Sequence, residues 1–222
     1  IPARNKDLGP RIRSLFIPEK GHTWGCFDYS QQEPRLVVHY ASLQKLYGVE
    51  EVLEAYRDGD ADFHNIVADM AEIPRTQAKT INLGLFYGMG KNKLQAELGV
   101  SKEKADELFK KYHAKVPFVK HLMDNVMQRA QNSGKIRTLL GRLCRFPLWE
   151  PNSFGIHKAL PHEAALTEHG PGIKRAFTYK ALNKLIQGSA ADMTKKAMIE
   201  LHKVGIVPHI QVHDELDISV DS

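Results

Sequence analysis

Cysteine is nearly absent from this chain. Cys26 and Cys144 are the only two in 222 residues, too few for a disulfide scaffold or a cysteine-rich zinc site. A reducing, intracellular setting fits that usage. No apolar run approaches the length of a membrane span. The first residues, Ile1-Pro2-Ala3-Arg4, lack the charged-then-apolar layout of a secretory signal. Internal repeats and low-complexity tracts are missing too. Acid is in slight deficit: 31 Lys and Arg against 26 Asp and Glu leave a net charge of +5, a weak pointer to a polyanionic partner. What remains, 42% hydrophobic and 26% charged, is an ordinary globular composition, enough for one large domain or two small ones.

Local pattern divides the chain into elements. Residues 4–13 are basic and contain Gly9-Pro10, which predicts a loop. Thr23 to Asp28 is aromatic and β-branched and predicts a strand. Glu33-Pro34 opens a helix, since proline suits a first-turn position. Leu36, Val37, Tyr40, Leu43, Leu46 and Tyr47 share a face of it, and Gly48 ends it. Residues 49–70 are acidic and helical in pieces, and Pro74 opens the next helix. A short helix from Asn92 closes at Gly99, Ser101 caps another, and Pro117 opens one reaching about Gln131. Lys135 to Phe146 predicts a hairpin about Gly141. Residues 147–172 hold four prolines and no clean period, which predicts a surface insertion. Helical periodicity extends from Ile173 to Val204. His209 to Val220 alternates as a hairpin with Asp214 and Glu215 at its turn. Strand, many helices, strand is the order of an α+β chain whose small antiparallel sheet is interrupted by a helical insertion.

Two runs each deliver acid where a strand gives out. One is Cys26-Phe27-Asp28-Tyr29-Ser30-Gln31-Gln32-Glu33-Pro34-Arg35; the other is Gln211-Val212-His213-Asp214-Glu215. A lone Asp ending a strand is normally a turn or cap residue. Two separated carboxylates, however, can share hard metal ions, which take one or two carboxylates plus substrate phosphates. Asp28 and Asp214 are the candidates, with Glu215 as a nearby auxiliary.

Between the acids lies a basic helix candidate, Arg75-Thr76-Gln77-Ala78-Lys79-Thr80-Ile81-Asn82-Leu83-Gly84-Leu85-Phe86-Tyr87-Gly88. Arg75, Lys79, Leu83 and Tyr87 recur every four residues, and each step overshoots a turn by roughly 40°, so all four share one broad face. Two cations followed by an apolar and an aromatic residue suit a triphosphate, then a sugar and base. Asn183 and Gln187, i and i+4 on the long helix, can reach minor-groove acceptors that do not report sequence. An internal helix bridge is the plainer alternative for Asn183.

The three segments, in this order, resemble motifs A, B and C of the family-A DNA polymerases, and the resemblance covers nearly all of the chain except 147–172. It implies a template-directed DNA polymerase core that adds dNTPs to a primer 3′-hydroxyl and releases pyrophosphate. It implies two Mg²⁺ ions, replaceable by Mn²⁺, held by Asp28, Asp214 and the backbone carbonyl of Tyr29. Arg75 and Lys79 grip the triphosphate, and Lys79 is placed to give a proton to pyrophosphate. Tyr87 lies by the templating base, and Gly88 lets that base approach. His64 matches a further phosphate contact, although a lone histidine is more often structural. Glu33, with Gln31 beside it, sits beneath the incoming sugar and excludes a 2′-hydroxyl; a helix N-terminal acid is also favoured by the macrodipole. Gln187, Asn183 and His213 lie near the primer terminus, and Arg4 near the primer-template. Arg11 and Arg13 are general phosphate contacts or solvated charge.

The pattern departs from the family at Leu83, where Phe or Tyr is usual; the loss of a ring predicts altered discrimination against dideoxynucleotides and slower incorporation. Gln32 and Pro34 replace commoner aliphatic residues, a dialect closer to phage polymerases. The resemblance implies a right-hand architecture lacking its thumb: palm at 1–45 and 173–222, fingers at 46–172, with a thumb and an exonuclease domain in the parent chain. The partners are primer-template DNA and dNTPs, in replication or repair, in the cytoplasm of a bacterium or phage-infected host. A catalytically inactive nucleic-acid-binding fragment is the alternative. A metal-dependent nuclease would share the acids but has no triphosphate for Arg75 and Lys79 to hold.

Overall fold

The computed structural model describes residues 5–59, 61–71, 73–86, 89–153 and 155–221, with the side chains of Met70, Ala71, Leu83 and Leu85 outside that description. In chain order the elements are α1 (Leu8–Arg13), β1 (His22–Asp28), α2 (Gln32–Leu43), α3 (Glu50–Asp58), α4 (Phe63–Ala71), α5 (Arg75–Phe86), α6 (Lys91–Leu98), α7 (Lys102–Lys115) and α8 (Pro117–Ser133). There follow β2 (Lys135–Arg137), β3 (Leu143–Arg145), β4 (Leu148–Pro151), β5 (Leu160–Pro161), α9 (His162–His169), β6 (Ile173–Arg175), a 3₁₀ turn, α10 (Ala181–Lys203), β7 (Ile210–Val212) and β8 (Glu215–Asp221). The architecture is α+β with small antiparallel sheets, as the sequence predicts. Among the described residues no helix is long and apolar enough to cross a membrane. Contacts divide the chain into two compact units, 1–30 with 193–222, and 31–192.

The first unit is built on the sheet β1-β8-β7. β1 and β8 pair antiparallel with Phe27 opposite Leu216 and Asp28 opposite Glu215. Strand alternation then puts Phe27, Leu216, Ile218 and Val220 on one face, and Asp28, Glu215, Cys26 and Asp217 on the other. The apolar face opens on a groove of about 990 Å³ lined also by Ala197, Leu201, Ile206 and Val207. The expected loop at 4–13 is instead helical over Leu8–Arg13. Asn5 Oδ1 accepts from the Asp7 and Leu8 amides at 3.0 and 2.8 Å, and Pro10 falls in the first turn, where its missing N–H costs nothing.

The second unit is mostly helical. Phe63 of α4 packs on Phe86 of α5 and Phe118 of α8, with ring centroids 5.5 and 6.4 Å apart, and Val37, Val38, Ile81, Leu94, Leu108 and Leu122 fill the space around them. Ser101 caps α7 by accepting from Lys104 N, and left-handed Gly99 and Gly134 close α6 and α8. Three sequence expectations change here. α2 ends at Leu43, not at Gly48, because Lys45 takes a left-handed conformation (φ 51°). Leu43 and Tyr47 are therefore exposed, 65% and 83%, and leave the buried face to Leu36, Val37 and Ala41. Residues 147–172 are not irregular: β4 pairs with β5 and β6, and α9 follows. Strands of two to four residues are too short to show a period. For the same reason Ile173–Arg175 is a strand where helix was expected, pinned by Arg175 stacked 4.5 Å over Trp149.

Candidate active site

In the first unit, β1 runs out at Asp28 and the β7–β8 turn is His213-Asp214. The ladder sets Asp28 opposite Glu215, and Tyr29 N–H donates to Asp214 O at 3.4 Å. Asp28 and Asp214, 186 positions apart in sequence, thus bring their carboxyl groups within hydrogen-bond reach. Burial first, and then the neighbouring Asp214, push the Asp28 carboxyl above the usual range, against the Tyr29 amide that lowers it. His213 holds the left-handed conformation (φ 56°), and its carbonyl accepts from Gln211 Nε2. Its side chain is exposed.

These residues suit a divalent cation. Asp28, Asp214 and Glu215 make no ion pair among the described residues, so like charges converge without a cation. No group of three or more His, Cys, Asp or Glu forms a metal site among the described residues. Two carboxyl groups this close are a donor set that a hard divalent cation could share with phosphate and water oxygens.

In the second unit, α5 exposes Arg75 and Lys79 and buries Ala78, Ile81, Asn82 and Phe86, so the basic face is the outward one. Lys79 pairs with no carboxylate among the described residues. Arg75 does: its Nε donates to Asp62 Oδ2 at 3.0 Å, and Nη2 reaches the same oxygen. The other oxygen of Asp62 caps α4, accepting from His64 N at 2.8 Å and Asn65 N at 3.4 Å. Burial works to raise the Asp62 carboxyl, but the Arg75 hydrogen bonds and the helix amides hold it below the ordinary range. His64 is buried, with Nδ1 2.9 Å from Asn82 Nδ2. Burial, and then Arg75 and Lys79, lower its pKa against the pull of Asp62.

The side-chain amide of Gln31 is engaged within the second unit. Its Oε1 accepts from Phe63 N at 2.8 Å and Tyr56 Oη at 3.2 Å, and Nε2 donates to Ala61 O at 3.1 Å. It braces the 61–63 segment that carries Asp62. Glu33 follows in the first turn of α2, half-buried. On α10, Gln187 is exposed and Asn183 half-buried. Beside them Arg142 Nε donates to Asp192 Oδ1 at 2.9 Å and Arg142 Nη2 to Gly188 O at 2.7 Å, while the Thr138 hydroxyl donates to Asp192 Oδ2. Leu139 N donates to Ser189 Oγ at 3.0 Å. Asp62, Asn82, Arg142 and Asp192 were not singled out from sequence. Asp62 alone had a signal, an aspartate just before a helix. Arg4, Tyr87 and Gly88 lie outside the described residues, as does the side chain of Leu83.

Comparison with known proteins gives a consistent answer. The model of DNA polymerase family A matches residues 1–222. A DNA-directed DNA polymerase of Pseudomonas phage M6 is 36% identical over 99% of this chain and 36% of its own length. DNA polymerase I of Geobacillus stearothermophilus is 34% identical over 97% of this chain and 24% of its own. The solved polymerase domain of Pol1 from M. smegmatis, in complex with a DNA primer-template and dNTP, superposes with a TM-score of 0.75 at 29% identity, covering 98% of this chain and 37% of that one. The chain thus spans about a third or less of the length of these relatives. With the family model matched from end to end, the chain belongs to DNA polymerase family A.

Proposed function

We propose that this chain is the palm and fingers portion of a template-directed DNA polymerase, with palm at 1–45 and 173–222 and fingers at 46–172. It works on primer-template DNA and dNTPs, alongside the thumb of its parent chain, in a bacterial or phage-infected cell. The observation that carries the reading is the Asp28–Asp214 pair, two crowded carboxyl groups at the end of β1 and in the β7–β8 turn.

Asp28, Asp214 and the Tyr29 carbonyl are the groups that hold the divalent ions, with Glu215 behind them. Mg²⁺, or Mn²⁺ in its place, supplies charge stabilisation for both the attacking and the leaving oxygen. The chain's own residues do the rest. Arg75 and Lys79 neutralise the triphosphate; the 3′-oxygen, its proton lost to solvent, joins the α-phosphorus as the α–β phosphoanhydride bond breaks, and Lys79 gives a proton to the departing pyrophosphate. Glu33 occupies the space a 2′-hydroxyl would need. Gln187, Asn183 and His213 hold the primer end through minor-groove acceptors, and Arg4, Tyr87, Gly88 and Leu83 complete the contacts to primer-template and nucleotide.

Primer extension with labelled dNTP and Mg²⁺ tests the reading. Extension that disappears in Asp28→Ala is the expected result. Duplex binding without extension identifies an inactive binding fragment, and primer shortening identifies a nuclease; either overturns the proposal.

A further inference from the structure

The buried face of α5 carries one polar side chain without a role so far. Asn82 is 0% exposed and lies among Ala78, Ile81 and Phe86. Its Nδ2 meets His64 Nδ1 at 2.9 Å, and its Oδ1 has no hydrogen-bond partner among the described residues. An unsatisfied buried acceptor is costly, and a leucine would fill the same space without that cost. Among the described residues, the one hydrogen bond this amide makes is the one its nitrogen gives to the imidazole.

An amide nitrogen has only hydrogens to offer. With the amide in this orientation, the His64 nitrogen facing it is the bare, accepting one, and the single proton of a neutral ring sits on Nε2. The surroundings keep the ring neutral: it is buried, Arg75 and Lys79 of α5 disfavour a further positive charge, and Asp62 at the start of α4 only partly opposes them. A protonated ring would also turn an Nδ1–H against the amide hydrogens. We propose that Asn82 is a positioning residue that locks His64 in the neutral Nε2–H tautomer, so that the ring offers a fixed hydrogen-bond donor to the triphosphate of an incoming nucleotide. A triphosphate oxygen only accepts, and the opposite tautomer would point a lone pair at it. The identity of the ligand rests on the function proposed above; the tautomer does not.

The test is ¹⁵N NMR of the labelled chain, with the His64 ring assigned by comparison with His64→Gln, together with dNTP affinity without primer. Wild type is expected to show bare Nδ1 and protonated Nε2 at neutral pH. Asn82→Leu, which removes the donor to Nδ1, should let the proton populate Nδ1 and weaken dNTP binding by severalfold, at most the roughly tenfold of one hydrogen bond to a charged group. Adding His64→Gln to it should weaken binding no further than His64→Gln alone. An Nδ1–H ring in wild type, or an Nε2–H ring as fully populated in Asn82→Leu as in wild type, overturns the proposal. The wild-type spectrum decides even where a variant fails to fold. If the tautomer is as stated but His64→Gln leaves dNTP affinity unchanged, it is the triphosphate reading that falls.

Discussion

At the scale of single residues the site is a set of charges held in place by neighbours that carry no chemistry of their own. Asp28 has a raised pKa because burial and Asp214 both disfavour its charge. In metal-free protein, Asp214→Asn should lower the pH at which the Asp28 carboxyl titrates, read by ¹³C NMR; an unshifted titration would mean the two side chains do not meet. The sign for stability follows. A carboxyl with a folded pKa above its unfolded one opposes folding once pH rises past the unfolded value. Asp28→Asn should therefore raise the metal-free melting temperature at neutral pH and not at pH 3. Asp62 works the other way, capping α4 and holding Arg75. Asp62→Ala should cost about 1–2 kcal/mol in urea denaturation, most of it the cap, because the Arg75 side chain is 52% exposed and its ion pair is screened. Asp62→Asn keeps a capping oxygen and should cost less than half as much.

At the scale of elements, the Thr138–Arg142 turn is fastened to α10 through one carboxylate. Burial alone would raise Asp192, yet hydrogen bonds from Thr138 and Arg142 keep it below the ordinary range. Its contribution to stability is thus complete above the usual aspartate pKa of about 3.9 and is lost as pH falls through the lower folded value. Asp192→Ala should destabilise by about 1–2 kcal/mol at neutral pH, since Thr138 keeps the Arg142 carbonyl and the half-exposed Arg142 can turn to water, and the deficit should shrink in acid. An unchanged denaturation midpoint would contradict the network. None of this was legible in the sequence, because Thr138 and Asp192 are 54 residues apart and nothing in either neighbourhood names the other. The helices that punctuation marks were legible: Ser101 before α7, Pro117 at the start of α8, Gly99 and Gly134 at their ends. The failures have physical causes as well. β4, β5 and β6 are held by pairing across the chain, and the turn that leads into α1 by the Asn5 side chain, which accepts from Asp7 N and Leu8 N.

At the scale of the whole molecule, residue identity told more than pattern. The acids at Asp28 and Asp214 and the cations at Arg75 and Lys79 were singled out from their neighbours in sequence, and the same neighbours carried the resemblance to the family that the end-to-end match shows. The hydrogen bonds of Gln31 to Tyr56, Ala61 and Phe63 were not legible, because those partners lie 25 to 32 residues away. With a net charge of +5 and the duplex partner proposed above, binding to primer-template should weaken steeply with salt, and Gln187→Ala should lower affinity without changing that slope, since an amide in the minor groove displaces no counterion. A slope reduced by the Gln187 change would place that side chain on phosphate. Whether the two aspartates act as one divalent site can be measured by Mn²⁺ binding in electron paramagnetic resonance. Asp28→Asn and Asp214→Asn should each weaken Mn²⁺ binding to a similar extent, with the double variant little worse than either. Binding that survives either single change at full strength would contradict it.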